Sequence, residues 1–156
     1  MPKVDKSILS SKDKITSDLN QILKSENVLS HEDEIRPYET DALAAYKQKP
    51  LLVVLPETVE QVSEILKYCN ENKIKVVPRG AGTGLSGGAL PLADCILLGM
   101  GKFNKILEID YRNKCVVAQP CVTNLAITHA VQDNKFYYAP DPSSQIACSI
   151  GGNVAE

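Results

Sequence analysis

Hydrophobic residues recur along this chain in two rhythms. Between Lys12 and Ser25 they fall at Ile15, Leu19, Ile22 and Leu23, a spacing that lines one face of a helix. Leu51 to Leu55 is instead an unbroken apolar run, as expected of a strand covered on both faces. Pro56 and Glu57 end it. Thr58 and Gln61 stand at capping-box spacing, so a helix is predicted to begin after Thr58. Val59, Val62, Leu66 and Cys69 recur on one side of it, with Ile65 beside them. The helix should stop around Asn70 to Asn72, and Lys73 to Val77 reads as a second strand. Together these segments predict a compact β–α–β unit, parallel and right-handed. Ahead of it, Asp33 to Thr40 is polar and contains the breaker Pro37. It reads as a connector crossing the surface, from which Arg36 and Tyr38 could fold back onto a ligand face.

The second half is patterned differently. Cys95 to Leu98 is a short apolar run and predicts a buried strand. Leu107, Ile109 and Tyr111 alternate with Glu108 and Asp110, which predicts a strand with one wetter face. Arg112-Asn113-Lys114 can turn it into Cys115 to Ala118, a hairpin. Thr123 can cap another helix carrying Leu125, Ala126, Ile127 and Val131. Tyr138 to Glu156 is rich in Pro, Ser, Gly and Asn and reads as a shaped loop.

Between the two halves lies Pro78-Arg79-Gly80-Ala81-Gly82-Thr83-Gly84-Leu85-Ser86-Gly87-Gly88. Glycines at this density let a backbone turn sharply and bring successive N–H groups against an anion. The stretch is not a phosphate-binding loop of the Walker type, because no Gly-Lys-Ser or Gly-Lys-Thr follows. Gly80-x-Gly82-x-x-Leu85 lacks the third glycine of the usual dinucleotide pattern, and Pro91 arrives before a helix could run its course. A diphosphate seated on a long helix N-terminus is therefore disfavoured. A nest of amides from Gly80 to Gly88, helped by the hydroxyls of Thr83 and Ser86, is the better physical picture. Arg79 adds charge beside it, although its backbone position can matter more than its guanidinium. The competing reading of such a segment is a flexible surface loop.

Composition narrows the setting. The 156 residues are 44% hydrophobic and 23% charged, enough for one core or two small lobes. The net charge of -2 gives no global attraction to nucleic acid. The N-terminus lacks an apolar secretion core and no stretch is long enough to span a bilayer, so the expected compartment is the cytoplasm, with a partner as the route to a membrane. Cys69, Cys95, Cys115, Cys121 and Cys148 are widely spaced and contain no Cys-x-x-Cys pair, which argues against structural zinc, an iron–sulfur centre and a disulfide scaffold. The chain stops inside Gly151-Gly152-Asn153-Val154-Ala155-Glu156, which predicts a piece of a longer protein.

Four blocks, read in order, resemble the flavin domain of FAD-linked oxidases of the vanillyl-alcohol oxidase or p-cresol methylhydroxylase type. They are Val54 to Val62, Pro78 to Gly88, Gln119 to Thr123, and Asp141 to Ser144 with Ser149 to Glu156. Within that family they look most like the glycolate oxidase FAD-binding subunit and D-lactate dehydrogenases. The resemblance implies an α+β fold, an FAD-binding PCMH-type domain with a β–α–β lobe and part of a larger sheet lobe. Residues 1–48 would be a helical extension and connector, and residues 49–156 a truncated portion of that domain. It implies FAD as cofactor, wrapped at its diphosphate by Arg79, Gly80, Ala81, Gly82, Thr83, Gly84, Leu85 and Ser86. Pro120, Cys121, Val122 and Thr123 would lie beside it. Pro140, Asp141 and Ser144, with Gly151, Gly152 and Asn153, would approach the flavin and its ribityl chain. It further implies a 2-hydroxy acid such as glycolate or D-lactate as substrate of the full-length protein, oxidised to a 2-oxo acid, and an iron–sulfur electron-transfer subunit as partner. It leaves room for a homo-oligomer. The alternative is a non-catalytic flavin-lobe module stabilised by a partner chain.

Cys121 departs from the family, which usually has glycine there. Covalent flavin attachment through it is disfavoured, and an ordinary half-buried thiol is expected. No residue here is assigned to substrate chemistry or to a metal. His129 reads as a helix-surface or packed histidine. His31 lies among Glu32, Asp33 and Glu34, which would have to converge to hold a metal. Asp141, before Pro142, suits a turn as well as a flavin pocket. Ser86, His129 and Asp141 do not make a hydrolase triad, because the Gly-x-Ser-x-Gly elbow is absent.

Overall fold

The computed structural model describes residues 3–155. Two short helices, α1 (Lys6–Ser10) and α2 (Lys12–Ile22), lead into strand β1 (Val28–Leu29) and the one-turn helix α3 (Glu32–Ile35). Strand β2 (Leu52–Val54), helix α4 (Val59–Glu71) and strand β3 (Lys75–Arg79) follow. After the glycine-rich loop come β4 (Cys95–Gly99), the hairpin β5 (Ile106–Asp110) and β6 (Cys115–Ala118), and helices α5 (Asn124–Val131) and α6 (Ile150–Ala155).

The unbroken apolar runs are explained by a sheet covered on both faces. Every residue of β2 and β4 is buried. Leu52, Val54, Ile96 and Leu98 share a cluster with Ile15, Leu19 and Leu23 from the first helical stretch and Ile65 and Cys69 of α4. Val53 and Leu97, pointing the other way, pack with Ile35 of α3 and with Leu29, Tyr38 and Leu55. Alternate residues of a strand face opposite sides, so both sets must be apolar. Burial keeps the Cys69 and Cys95 thiols protonated, pushing each up to about 11.

The sheet order is β1-β2-β4-β3. β2 and β3 both run parallel to β4, with Leu52 opposite Ile96 and Lys75 opposite Cys95, while β1 closes the other edge antiparallel to β2. The predicted β–α–β unit is present, with α4 joining two strands of one sheet. Its two strands are parallel but never touch, because β4 occupies the place between them. β3 also starts later than Lys73. That residue has φ +56°, and the Ile74 N–H reaches back to the Cys69 carbonyl at 2.8 Å, so the helix exit uses up the first residues of the expected strand.

Helix α4 is capped as expected, with Thr58 Oγ1 accepting from the Gln61 N–H at 3.3 Å. Its buried stripe is rotated from the one predicted. Ile65 and Cys69 are buried and Val62 and Tyr68 partly so, whereas Val59 and Leu66 are 69% and 45% exposed. At ~100° per residue, Val59 and Leu66 fall on the flank of the Val62–Ile65–Cys69 line, where the sheet no longer reaches them. Tyr68 donates to Asp18 Oδ2 at 2.8 Å and ties α4 to α2.

The polar connector is more structured than its sequence suggests. Helix α3 covers its first residues and Arg36 to Tyr38 make a turn of 3-10 helix, while just ahead of it Val28 and Leu29 form the edge strand. In the hairpin, a register irregularity between Ile106 and Glu108 turns Leu107 outward, 61% exposed, so the expected apolar alternation breaks there. Thr123 caps α5, accepting from the Ala126 N–H at 3.1 Å. Residues 150–155, read as loop, are helical instead.

One buried ion pair fastens the N-terminus. Asp94, 2% exposed, accepts from Lys75 Nζ at 2.6 Å and from the Asp5 amide at 2.7 Å. Burial alone would raise its carboxyl pKa, but the Lys75 ammonium and the Asp5 amide outweigh burial and hold it below the ordinary aspartate value. The folded-state pKa is depressed, so the stabilisation is present above the unfolded value of about 3.9 and is lost as pH falls through the lower folded value. Lys75→Met is expected to cost about 2 kcal/mol at pH 7, less than a fully buried pair because the ammonium is partly solvated. Urea unfolding across pH should show that deficit shrinking once Asp94 is protonated.

Candidate functional site

Strand β3 delivers the glycine-rich loop to the C-terminal edge of the parallel strands. The last ladder contact is the Met100 N–H on the Arg79 carbonyl at 2.9 Å, and the chain leaves the sheet at Gly80. No helix follows. Gly82 and Gly87 take φ +72° and +80°, and the Leu90 N–H closes a turn on the Gly87 carbonyl at 3.2 Å. Among the described residues, no amide from Gly80 to Gly88 donates to a protein acceptor. Bends with left-handed glycines and unengaged N–H groups are the features of an anion nest.

Two recesses adjoin this loop and share Gly80, Ala81 and Ser149 as a common wall. The larger, about 490 Å³, lies between Gly80–Gly84 on one side and Ser144, Gly152 and Asn153 on the other. The smaller, about 320 Å³, is bounded by Cys121, Val122, Thr123, Ala147 and Asn104. Neither is lined by a charged side chain. A negatively charged group placed here would meet amide dipoles, hydroxyls and carboxamides, with no carboxylate to repel it.

The second side of the cleft is held by long-range contacts. Thr123 and Ser149 form an isolated antiparallel bridge, and the Gly151 N–H donates to the Pro120 carbonyl at 2.7 Å. A Cβ on Gly151 would lie 2.6 Å from Pro120 Cβ, so only glycine permits this approach. Asn124, buried on α5, accepts from Asn153 Nδ2 at 2.6 Å and donates to the Pro140 carbonyl at 3.2 Å. Gly80 faces Ser149 so closely that an added Cβ would collide with its hydroxyl.

Of the residues expected at the site, Gly80, Ala81, Gly82, Thr83, Gly84, Ser144, Gly152 and Asn153 line the larger recess, and Cys121, Val122 and Thr123 the smaller. Leu85, Ser86, Pro120, Pro140, Asp141 and Gly151 line neither. Leu85 is 69% exposed, while the Pro120 carbonyl accepts from the Gly151 N–H and the Pro140 carbonyl from Asn124 Nδ2. Arg79 also lines neither. Its Nη1 donates to the Thr40 carbonyl at 2.7 Å, and the guanidinium lies 5.8 Å from the Tyr38 ring centroid. Burial lowers its pKa, with Asp41 and then Tyr38 opposing. Burial raises the Cys121 thiol, against a hydrogen bond with Ser149, so it is protonated at neutral pH. His129 is on the exposed face of α5. Among the described residues, no group of three or more His, Cys, Asp or Glu side chains converges to hold a metal, and no helix is long and apolar enough to cross a membrane.

Ser149, Asn124, Ala147 and Asn104 were not expected at the site. Ser149 lies inside one of the four sequence blocks, yet its role depends on facing Gly80, far away in sequence.

A family model described as "FAD binding domain" matches residues 50–156. The chain is 58% identical over 129 residues to the glycolate oxidase subunit GlcD of Escherichia coli K12, covering 83% of this chain and 26% of that protein. It is 35% identical over 151 residues to the mitochondrial D-2-hydroxyglutarate dehydrogenase of Arabidopsis thaliana, covering 96% and 26%. Among solved structures it superposes on 4-ethylphenol oxidase from Gulosibacter chungangensis with a TM-score of 0.81 at 26% identity, covering 98% of this chain and 30% of that one. The chain thus spans about a quarter of the length of the curated relatives it matches.

Proposed function

Because the chain belongs to the FAD binding domain family, we propose that its glycine loop holds the FAD diphosphate in a flavin-dependent 2-hydroxy-acid oxidoreductase. The observation that carries the reading is the row of unengaged amides from Gly80 to Gly88, of which Gly80 to Gly84 border a cleft free of charged side chains. The fit is chemical as well as steric. Two phosphates need several N–H donors at close range, and glycine backbones offer them without side chains in the way.

In this reading, Gly80 to Gly84 bind the diphosphate, with Thr83 adding a hydroxyl. Arg79 enters through its backbone, and Leu85 and Ser86 continue the turn. Ser144, Gly152 and Asn153 close the far side. Cys121, Val122 and Thr123 shape the adjoining recess and exclude water from it, while Pro120, Pro140, Asp141 and Gly151 set the position of that wall. Residues 49–156 form the diphosphate-holding lobe, and residues 1–48 its helical extension. Bound there, FAD supplies the two-electron oxidation that converts a 2-hydroxy acid to a 2-oxo acid. Glycolate, D-lactate and D-2-hydroxyglutarate are the substrates we would try first, given the names of the relatives. The Escherichia coli relative's name marks it as a subunit, which favours a partner chain, and the family resemblance makes an iron–sulfur subunit the electron acceptor we would look for.

Gentle purification of the whole protein should give a yellow product with about stoichiometric flavin, bleached anaerobically by one of these acids. Protein that retains flavin but is bleached by no 2-hydroxy acid would favour a binding module without this chemistry. Protein that takes up no FAD would overturn the reading.

A further inference from the structure

The segment ahead of β2 touches the glycine loop at three points. Arg79 Nη1 donates to the Thr40 carbonyl at 2.7 Å while its guanidinium lies over Tyr38. The Ala42 N–H donates to the Gly82 carbonyl at 2.9 Å. Leu43 Cδ2 lies 3.9 Å from where a Cβ on Gly87 would be. The two left-handed glycines of the loop are therefore each in register with a residue of this segment. The guanidinium itself lies flat against Gly82, where an added Cβ would come within 2.5 Å of Arg79 Nη2.

Asp41, at the centre of the segment, is 6% exposed. Its Oδ1 accepts from the Leu43 N–H at 2.9 Å, and its Oδ2 is buried with no hydrogen-bond partner among the described residues. A carboxylate in this position needs a nearby positive charge. Arg79, bonded to the adjacent Thr40 carbonyl at 2.7 Å, brings a positive charge to this segment without a direct ion pair to Asp41. If the guanidinium swung into the cleft to meet a phosphate, it would leave the Thr40 carbonyl and the Tyr38 ring.

We infer that Tyr38 to Leu43 form a strap that fixes the curvature of the glycine loop, and that Arg79 is a positioning residue within it rather than a ligand of the phosphates. The inference rests on the reading that this loop holds the FAD diphosphate. The strap lies outside residues 50–156, the part matched by the family model. It gives the N-terminal segment a function in cofactor retention. With the guanidinium held at Thr40 and Tyr38, the amide dipoles of the loop set the field inside the nest.

The test uses the whole protein with and without FAD, and the variants Arg79→Met, Asp41→Asn and both together. Hydrogen exchange of residues 80–88 in the flavin-free protein reads the shape of the loop directly, and FAD dissociation reads the consequence. Arg79→Met should speed both by about tenfold and Asp41→Asn by less, with the double variant close to Arg79→Met alone because both act through one device. Faster FAD loss with unchanged exchange at 80–88, and effects that multiply in the double variant, would mean that Arg79 holds phosphate directly and the inference is wrong. Should Arg79→Met fail to fold, Tyr38→Leu keeps both charges and must still loosen the loop. If the parent protein takes up no FAD, the proposed function fails, and the exchange arm alone still decides whether the strap orders the loop.

Discussion

Gly151→Ala should weaken FAD binding by about tenfold to 100-fold and destabilise the fold, while Gly88→Ala should leave the stability of the flavin-free protein nearly unchanged. The two substitutions add the same methyl group to the same glycine-rich architecture. At Gly151 that methyl would meet Pro120 Cβ at 2.6 Å, the Pro120 carbonyl oxygen at 3.0 Å and Pro120 Cα at 3.1 Å. These are ring and backbone atoms and cannot swing aside. The start of α6 would have to lift away from residues 119–122, pulling Ser149 from Thr123 and parting the two sides of the cleft. Overpacking of this kind costs about 1–3 kcal/mol, and each 1.4 kcal/mol is about a factor of ten in affinity. At Gly88 nothing lies within 4 Å of the added atom and φ is not in the left-handed region. Its effect should stay within about 0.5 kcal/mol. Urea unfolding of the flavin-free protein would compare the two sites and fluorescence titration would measure the FAD loss at Gly151; equal losses of stability would contradict the geometry.

Ile65→Ala is expected to destabilise the fold by about 3 kcal/mol, and Val59→Ala by almost nothing. Both residues are β-branched, apolar and on α4, but Ile65 is 0% exposed and Val59 69% exposed. Ile65 sits in the cluster that joins α2, α4 and the sheet, where the cavity left by truncation has little freedom to collapse. Denaturant unfolding with an unchanged m-value would isolate the stability term. Comparable losses at the two positions would restore the helix face predicted from periodicity alone.

That pair also marks how far the sequence can be read. Apolar runs at Leu51–Leu55 and Cys95–Leu98, the caps at Thr58 and Thr123, and the turn at Arg112–Lys114 all express local chemistry and were legible. The glycine loop was legible as non-helical because Pro91 and the missing lysine removed its helical alternatives. Which stripe of α4 is buried depends on the width of the sheet beneath it, a tertiary property. The same holds for the placement of β4 between β2 and β3. A two-residue strand such as β1 carries no periodicity at all. Helix α6 runs against its own composition, since glycine costs about 1 kcal/mol per residue in a helix. It is held by the Gly151 bond to Pro120 and the Asn153 bond to Asn124. Ser149 and the Tyr38–Leu43 strap became visible as parts of the site only once segments distant in sequence were brought together.

The order β1-β2-β4-β3 has a consequence for assembly on the ribosome. When β3 emerges it has no neighbour to pair with, because its partner is made only after the glycine loop has been synthesised. The loop is thus carried through the early stages of folding on an unpaired strand and takes its final shape when β4 inserts. A ligand that grips the finished loop can do so only after β4 is in place, and its binding then draws that insertion to completion by mass action.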